Sequence, residues 1–161
     1  MSLTDLANIS TIAQAILVII SLFFIWYQLR QSTELVKAAN SQALVEHAAS
    51  FNALLIENGD LADLWYGFGQ SFPDETSAKR YRELLVQWLI FHENIYYQRR
   101  RGLLDSEIYN SWLEDLKFTV NHHNVEIVTK DIRKFFPGKF GDHMIELKTT
   151  FAFSPSTHDA S

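Results

Sequence analysis

The chain has 161 residues, 20% of them charged, and a formal net charge of −5 at pH 7. Its mean hydropathy is −0.07 and its sequence pI is about 5.6, which argues against a nucleic-acid-binding protein because such proteins need a basic face. The sequence contains no cysteine, in agreement with a reducing compartment.

The N-terminal segment is the most apolar part of the chain. No charged residue occurs from Leu6 to Leu29, and about 20 apolar residues suffice to cross a bilayer as a helix. Trp26 and Tyr27 end this run, where amphipathic rings favour the headgroup level, and Arg30 can reach lipid phosphates. A cleaved signal peptide and a buried core helix are the rival interpretations. The segment before the run carries Asp5 and no basic residue, so we favour a membrane anchor.

Basic residues set the expected orientation. Arg30 and Lys37 follow the span, whereas only the amino terminus precedes it. The positive-inside rule therefore predicts a single-pass membrane protein with a short N-terminus outside and the C-terminal domain in the cytoplasm.

A long helix is predicted to continue beyond the span, because no glycine precedes Gly59 and no proline precedes Pro73. We expect one helix over residues 4–57, on the order of 80 Å long. Gly59 is expected to adopt a left-handed cap that ends this helix, and Asp60 to cap the next one.

The rest of the chain predicts an all-α bundle. Helical spacing and breakers predict helices over residues 78–101, after Asp105, around residues 125–135 and over residues 140–151, with residues 148–153 alternatively extended. We expect a transmembrane anchor at 1–30, a stalk helix at 31–57, a cytoplasmic helical bundle at 58–153 and a disordered tail at 154–161.

A polar strip runs along one face of the predicted span. It contains Thr11, Gln14, Ser21 and Gln28. Small and polar residues on one face mediate association between membrane helices, so the strip predicts contact with copies of this chain or with a larger membrane protein. The alternative is that the Ser21 hydroxyl forms a hydrogen bond with the backbone of its own helix and that a single glutamine is tolerated in the membrane.

A second polar group lies on the central helix. Apolar residues surround Glu93, and Tyr96 and Tyr97 follow it at helical spacing. A buried carboxylate needs a partner, for which Arg133, Arg99 or a tyrosine hydroxyl are candidates. We predict that these three residues form a structural buried polar group. The alternative is a general acid or base at Glu93.

Histidines give no metal signal in the sequence. His92 is followed by Glu93 as in a zinc-protease motif, but Tyr96 stands where the second histidine is required. We expect the adjacent His122 and His123 to be solvated. The sequence therefore predicts no metal, cofactor or catalytic residue.

In three short motifs the chain resembles a family of small bacterial membrane-anchored helical proteins of unknown function. They are Leu29-Arg30-Gln31, the segment from Glu93 to Gln98, and the segment from Gly102 to Asp105. The resemblance covers nearly the whole chain. It implies a single membrane helix with a helical domain, and it brings no substrate or cofactor.

Three functions follow as hypotheses. The first is a non-catalytic, membrane-anchored cytoplasmic adaptor or accessory subunit of a membrane protein assembly. The second is a homo-oligomeric channel lined by the polar strip. The third is a membrane-associated enzyme that uses Glu93 as acid or base.

Overall fold

The computed structural model describes residues 3–125 and 132–152, and within these ranges it contains helices and no strand. The helices are α1 (Leu3–Glu57), α2 (Gly59–Tyr66), α3 (Glu75–Arg100), α4 (Ser106–His122), α5 (Ile132–Phe135) and α6 (Lys139–Ala152). This confirms the predicted all-α class with one long N-terminal helix followed by shorter ones.

The chain divides into two compact units, Met1–Asn40 and Ser41–Ser161. The boundary falls inside α1 and inside the predicted stalk. The predicted domain borders at residues 30 and 57 remain predictions, and the predicted tail at 154–161 lies outside the described residues.

The first unit is the N-terminal part of α1. The candidate span begins at Ser10, has a mean hydropathy of 2.1 over its most apolar window, and has 0% of that window buried. It is therefore long and apolar enough to cross a membrane. Ser21 and Thr33 donate from their hydroxyls to carbonyls four residues earlier, at 2.8 and 3.0 Å, so these polar side chains are satisfied within the helix.

The second unit has its own hydrophobic core. Helix α1 contributes Leu44, Ala48, Phe51 and Leu55, whose spacing of four, three and four residues forms one buried face. Aromatic rings link the helices, since Phe51 lies 4.6 Å from Trp88 and 5.0 Å from Trp65 between ring centroids. Such edge and tilted contacts add to the stabilisation from buried area.

The ends of α3 follow from its sequence. The Asp74 carboxylate accepts a hydrogen bond from the Ser77 amide at 2.7 Å and caps the helix. The helix therefore begins at Glu75, three residues before its predicted start at Ala78. Gly102, with a φ of 72°, takes the left-handed conformation that ends it.

Three local predictions are wrong. The N-cap of α2 is Asn58, so Asp60 lies inside the first turn, and Gly59 is helical and not left-handed. The alternative of an extended segment at 148–153 also fails as far as Ala152, because α6 continues to that residue.

Candidate functional site

The predicted association strip lies on the exposed surface of α1. Thr11, Gln14, Ser21 and Gln28 are all solvent-exposed in the single chain. The Ser21 hydroxyl donates to the Leu17 carbonyl, so the serine has a partner inside its own helix. The two glutamines are the members whose amides need a partner in hydrocarbon.

The predicted headgroup residues are also exposed. Trp26, Tyr27 and Arg30 follow one another on the outer surface of α1, and the Trp26 ring lies 5.8 Å from that of Phe23. Their side chains therefore remain accessible to a lipid surface.

Glu93 is half-buried on α3, and burial raises its pKa above the ordinary value. Tyr96 and Tyr97 are half-buried too, with ring centroids 5.4 Å apart. Of the predicted carboxylate partners, Arg99 donates to the Leu104 carbonyl at 3.4 Å. The side chain of Arg133 lies outside the described residues.

His92, next to Glu93 in the sequence, is the more completely buried polar residue of α3. Its side chain is 1% exposed, and Nε2 donates to Asp115 Oδ2 of α4 at 2.9 Å. The Trp88 indole N–H donates to the same oxygen at 3.0 Å. One carboxylate oxygen thus satisfies two buried donors and joins α3 to α4.

His123 forms a second buried polar contact. Its Nδ1 lies 2.9 Å from the Tyr81 hydroxyl, and its ring lies 4.2 Å from that of Trp65. Burial lowers the pKa of His123 to about 4 and raises the pKa of Tyr81 to about 12, so both groups are neutral at pH 7. The two neutral side chains share one buried hydrogen bond.

The expectation that both neighbouring histidines are solvated is therefore wrong for His123 and holds for His122. His122 is exposed and bonds the Phe118 carbonyl at 2.9 Å through Nδ1. The apolar spacing of α4, which buries Leu116 and Val120, was the signal that the next turn of the chain also faces the core.

A small cavity borders the side chain of His92. Its volume is about 10 Å³, and its lining includes Tyr96, Tyr109, Trp112 and His143. The buried His143 Nε2 has no hydrogen-bond partner among the described residues. Because such a cavity holds about one water molecule, it is too small for a substrate beside His92.

A larger groove of about 340 Å³ lies between α1 and α3. Its lining residues are Ala43, Leu44, His47, Gln87, Ile90, Phe91, Asn94 and Gln98. Across residues 3–125 and 132–152, no group of three or more histidine, aspartate or glutamate side chains is placed to hold a metal ion. The described residues thus combine structural polar contacts with exposed apolar and amide surfaces.

Comparisons with family models, with curated proteins and with solved structures find no match to this chain. The resemblance to small bacterial membrane-anchored proteins therefore stays a prediction from the motifs.

Proposed function

We propose that the protein is a non-catalytic, membrane-anchored adaptor or accessory subunit of a membrane protein assembly. The observation that carries the proposal is the apolar part of α1. Its most apolar stretch has a mean hydropathy of 2.1, and none of that stretch is buried within the chain. Apolar surface of that extent is stable in lipid and costly in water. Arg30 and Lys37 favour an orientation with the C-terminal unit in the cytoplasm. The membrane in this proposal is a bacterial inner membrane.

Two features favour a binding role over chemistry. The buried polar groups His92 and His123 are satisfied within the fold, by Asp115 and Tyr81. The exposed polar groups of α1, Gln14 and Gln28, instead lie where a partner helix in the membrane can satisfy them. An adaptor needs such surfaces and no reactive group.

Membrane anchoring is tested by charge placement. Ile16→Lys combined with Ile19→Lys is expected to move the protein from the membrane fraction to the carbonate-soluble fraction, since each lysine at a span centre costs about 3 kcal/mol. Tyr66→Lys combined with Ile90→Lys is the matched control, because both side chains are exposed in the second unit. Equal release of the two variants, or release of the unmodified chain, would refute the anchor.

The binding role is tested by gentle detergent extraction from native membranes, followed by the mass of the complex and identification of its components. A larger membrane protein extracted together with this chain supports an accessory subunit. A complex made only of this chain supports an oligomeric scaffold, and a lone monomer contradicts the assembly role.

A further inference from the structure

Within the second unit, α1 has two different faces. One face carries the buried core residues, among them Leu44 and Phe51. A row of exposed residues lies about a quarter of a turn or more around the helix from this buried face. The row has spacings of three, four, three and four residues and consists of Gln42, Val45, Ala49, Asn52 and Ile56. We call this row the α1 stripe. Val45 is 62% exposed and Ile56 is 83% exposed.

The α1 stripe has the period of a coiled-coil seam. Gln42, Ala49 and Ile56 occupy one heptad position, and Val45 and Asn52 occupy the other. The stripe covers about 21 Å of helix and carries no charged residue. A helix surface that faces only water has no need to keep its charges off one seam, so this pattern indicates that another helix covers it.

The stripe is self-complementary. The Gln42 amide donates to Glu46 of its own helix at 2.9 Å. The Asn52 amide can both donate and accept, so two copies of Asn52 that meet across a two-fold axis can pair with each other. The alanine in the middle lets two helix backbones approach closely. Polar residues at such positions are also what fixes the register of two-stranded coiled coils.

Charges beside the stripe agree with contact between identical chains. In a parallel coiled coil, the residue that precedes Gln42 on one helix lies beside the residue five places further along the other helix. Glu46 then faces Ser41 of the second copy. No like charges meet along residues 41–56, although the whole chain has a net charge of −5.

We propose that a second copy of this chain docks on the α1 stripe and forms a parallel two-stranded coiled coil. The inference rests on the proposed function, because an anchor in the same membrane gives both copies the same orientation. Confinement to the membrane also raises their effective concentration, which favours a short interface. In the sequence, the same phase continues backwards through Ala38, Leu35 and Gln28, which are uncharged as well.

Disulfide cross-linking tests the proposal directly, since the natural chain has no cysteine. Full-length Val45→Cys and Asn52→Cys are oxidised in intact membranes. Ala43→Cys and Ser50→Cys are the matched controls, because both lie exposed on another side of the same helix segment. A disulfide needs Cα atoms within about 7 Å, so only stripe positions should bridge two parallel copies.

The expected result is a band at twice the 18.6 kDa chain mass for the stripe variants and a single-chain band for the controls. Equal cross-linking at all four positions would mean random collision and would overturn the proposal. Single-chain bands throughout would overturn it too, and so would a stripe adduct with a different protein. Carbonate extraction of the same samples tests the anchor separately: a stripe cross-link in protein that carbonate releases would keep the dimer and refute the anchor.

A second variant checks that the stripe stabilises the dimer. Val45→Asp places two like charges opposite each other at the seam and is expected to halve the mass measured by light scattering in mild detergent. Ala43→Asp is the control with the same added charge outside the stripe, and it should keep the dimer mass. Helix content by circular dichroism should match in both variants. A dimer that survives Val45→Asp would contradict the proposed seam.

Discussion

Acidification provides a direct test of the buried contact between Tyr81 and His123. The imidazole is 6% exposed, its Nδ1 is hydrogen-bonded to the tyrosine hydroxyl at 2.9 Å, and burial lowers its pKa from 6.5 to about 4. Asp115 acts in the opposite direction and His122 in the same direction as burial, and both effects are smaller. The folded protein therefore holds this histidine neutral under conditions where the unfolded chain protonates it.

The sign and size of the effect follow from that difference. Above pH 6.5 the histidine is neutral in both states, and its contribution to the free energy of unfolding is complete. Between pH 6.5 and about 4 the unfolded state binds the extra proton, so stability falls as pH falls, by about 1.4 kcal/mol for each pH unit. The loss attributable to His123 is about 2 kcal/mol at pH 5.

The assay is urea unfolding of the full chain in mild detergent between pH 7.5 and 5. Tryptophan fluorescence reports on the site because the Trp65 ring lies 4.2 Å from that of His123. His123→Gln is the test variant, and His122→Gln is its matched control at the adjacent exposed position. We expect His123→Gln to lower stability at pH 7.5 and to flatten the pH dependence by about 2 kcal/mol.

The control is expected to keep the slope of the unmodified protein. If His123→Gln retains that slope, or if His122→Gln loses it, a different group carries the proton and the buried pair does not control the acid sensitivity of the fold.

Three further predictions concern stability and assembly. Gly69→Ala is expected to lower the melting temperature far more than Gly102→Ala, because both glycines have positive φ but only the first Cβ would overlap a buried tyrosine ring. Asp115→Ala should cost about 1–3 kcal/mol in urea unfolding by leaving two buried donors unpaired, whereas Glu114→Ala, which removes an exposed ion pair, should change stability by less than about 1 kcal/mol. Gln14→Leu is expected to lower the mass of the assembly in detergent while circular dichroism is unchanged, and an unchanged mass by light scattering would contradict a role for the polar strip.

Local features of the fold could be predicted from the sequence. The long α1 follows from the absence of glycine and proline before residue 58, and its apolar N-terminal part follows from composition. Phe51 on α1 and Trp88 on α3 are buried, in agreement with the helical spacing of the apolar residues around them. These properties depend on neighbours within a few turns of one helix, which is the range over which a sequence pattern carries information.

The polar contacts of the core were decided by tertiary structure alone. Apolar residues lie on both sides of α3, so their spacing predicts that Glu93 is buried. The fold leaves Glu93 half-buried and buries the adjacent His92 more completely. The rotation of α3 about its axis depends on how α4 docks, and docking brings Asp115 to His92 across 23 positions of sequence. Tyr81 and His123 meet across 42 positions for the same reason. A sequence pattern fixes which faces a helix has, but only the packing of all the helices determines which polar groups meet and which face stays open for a partner.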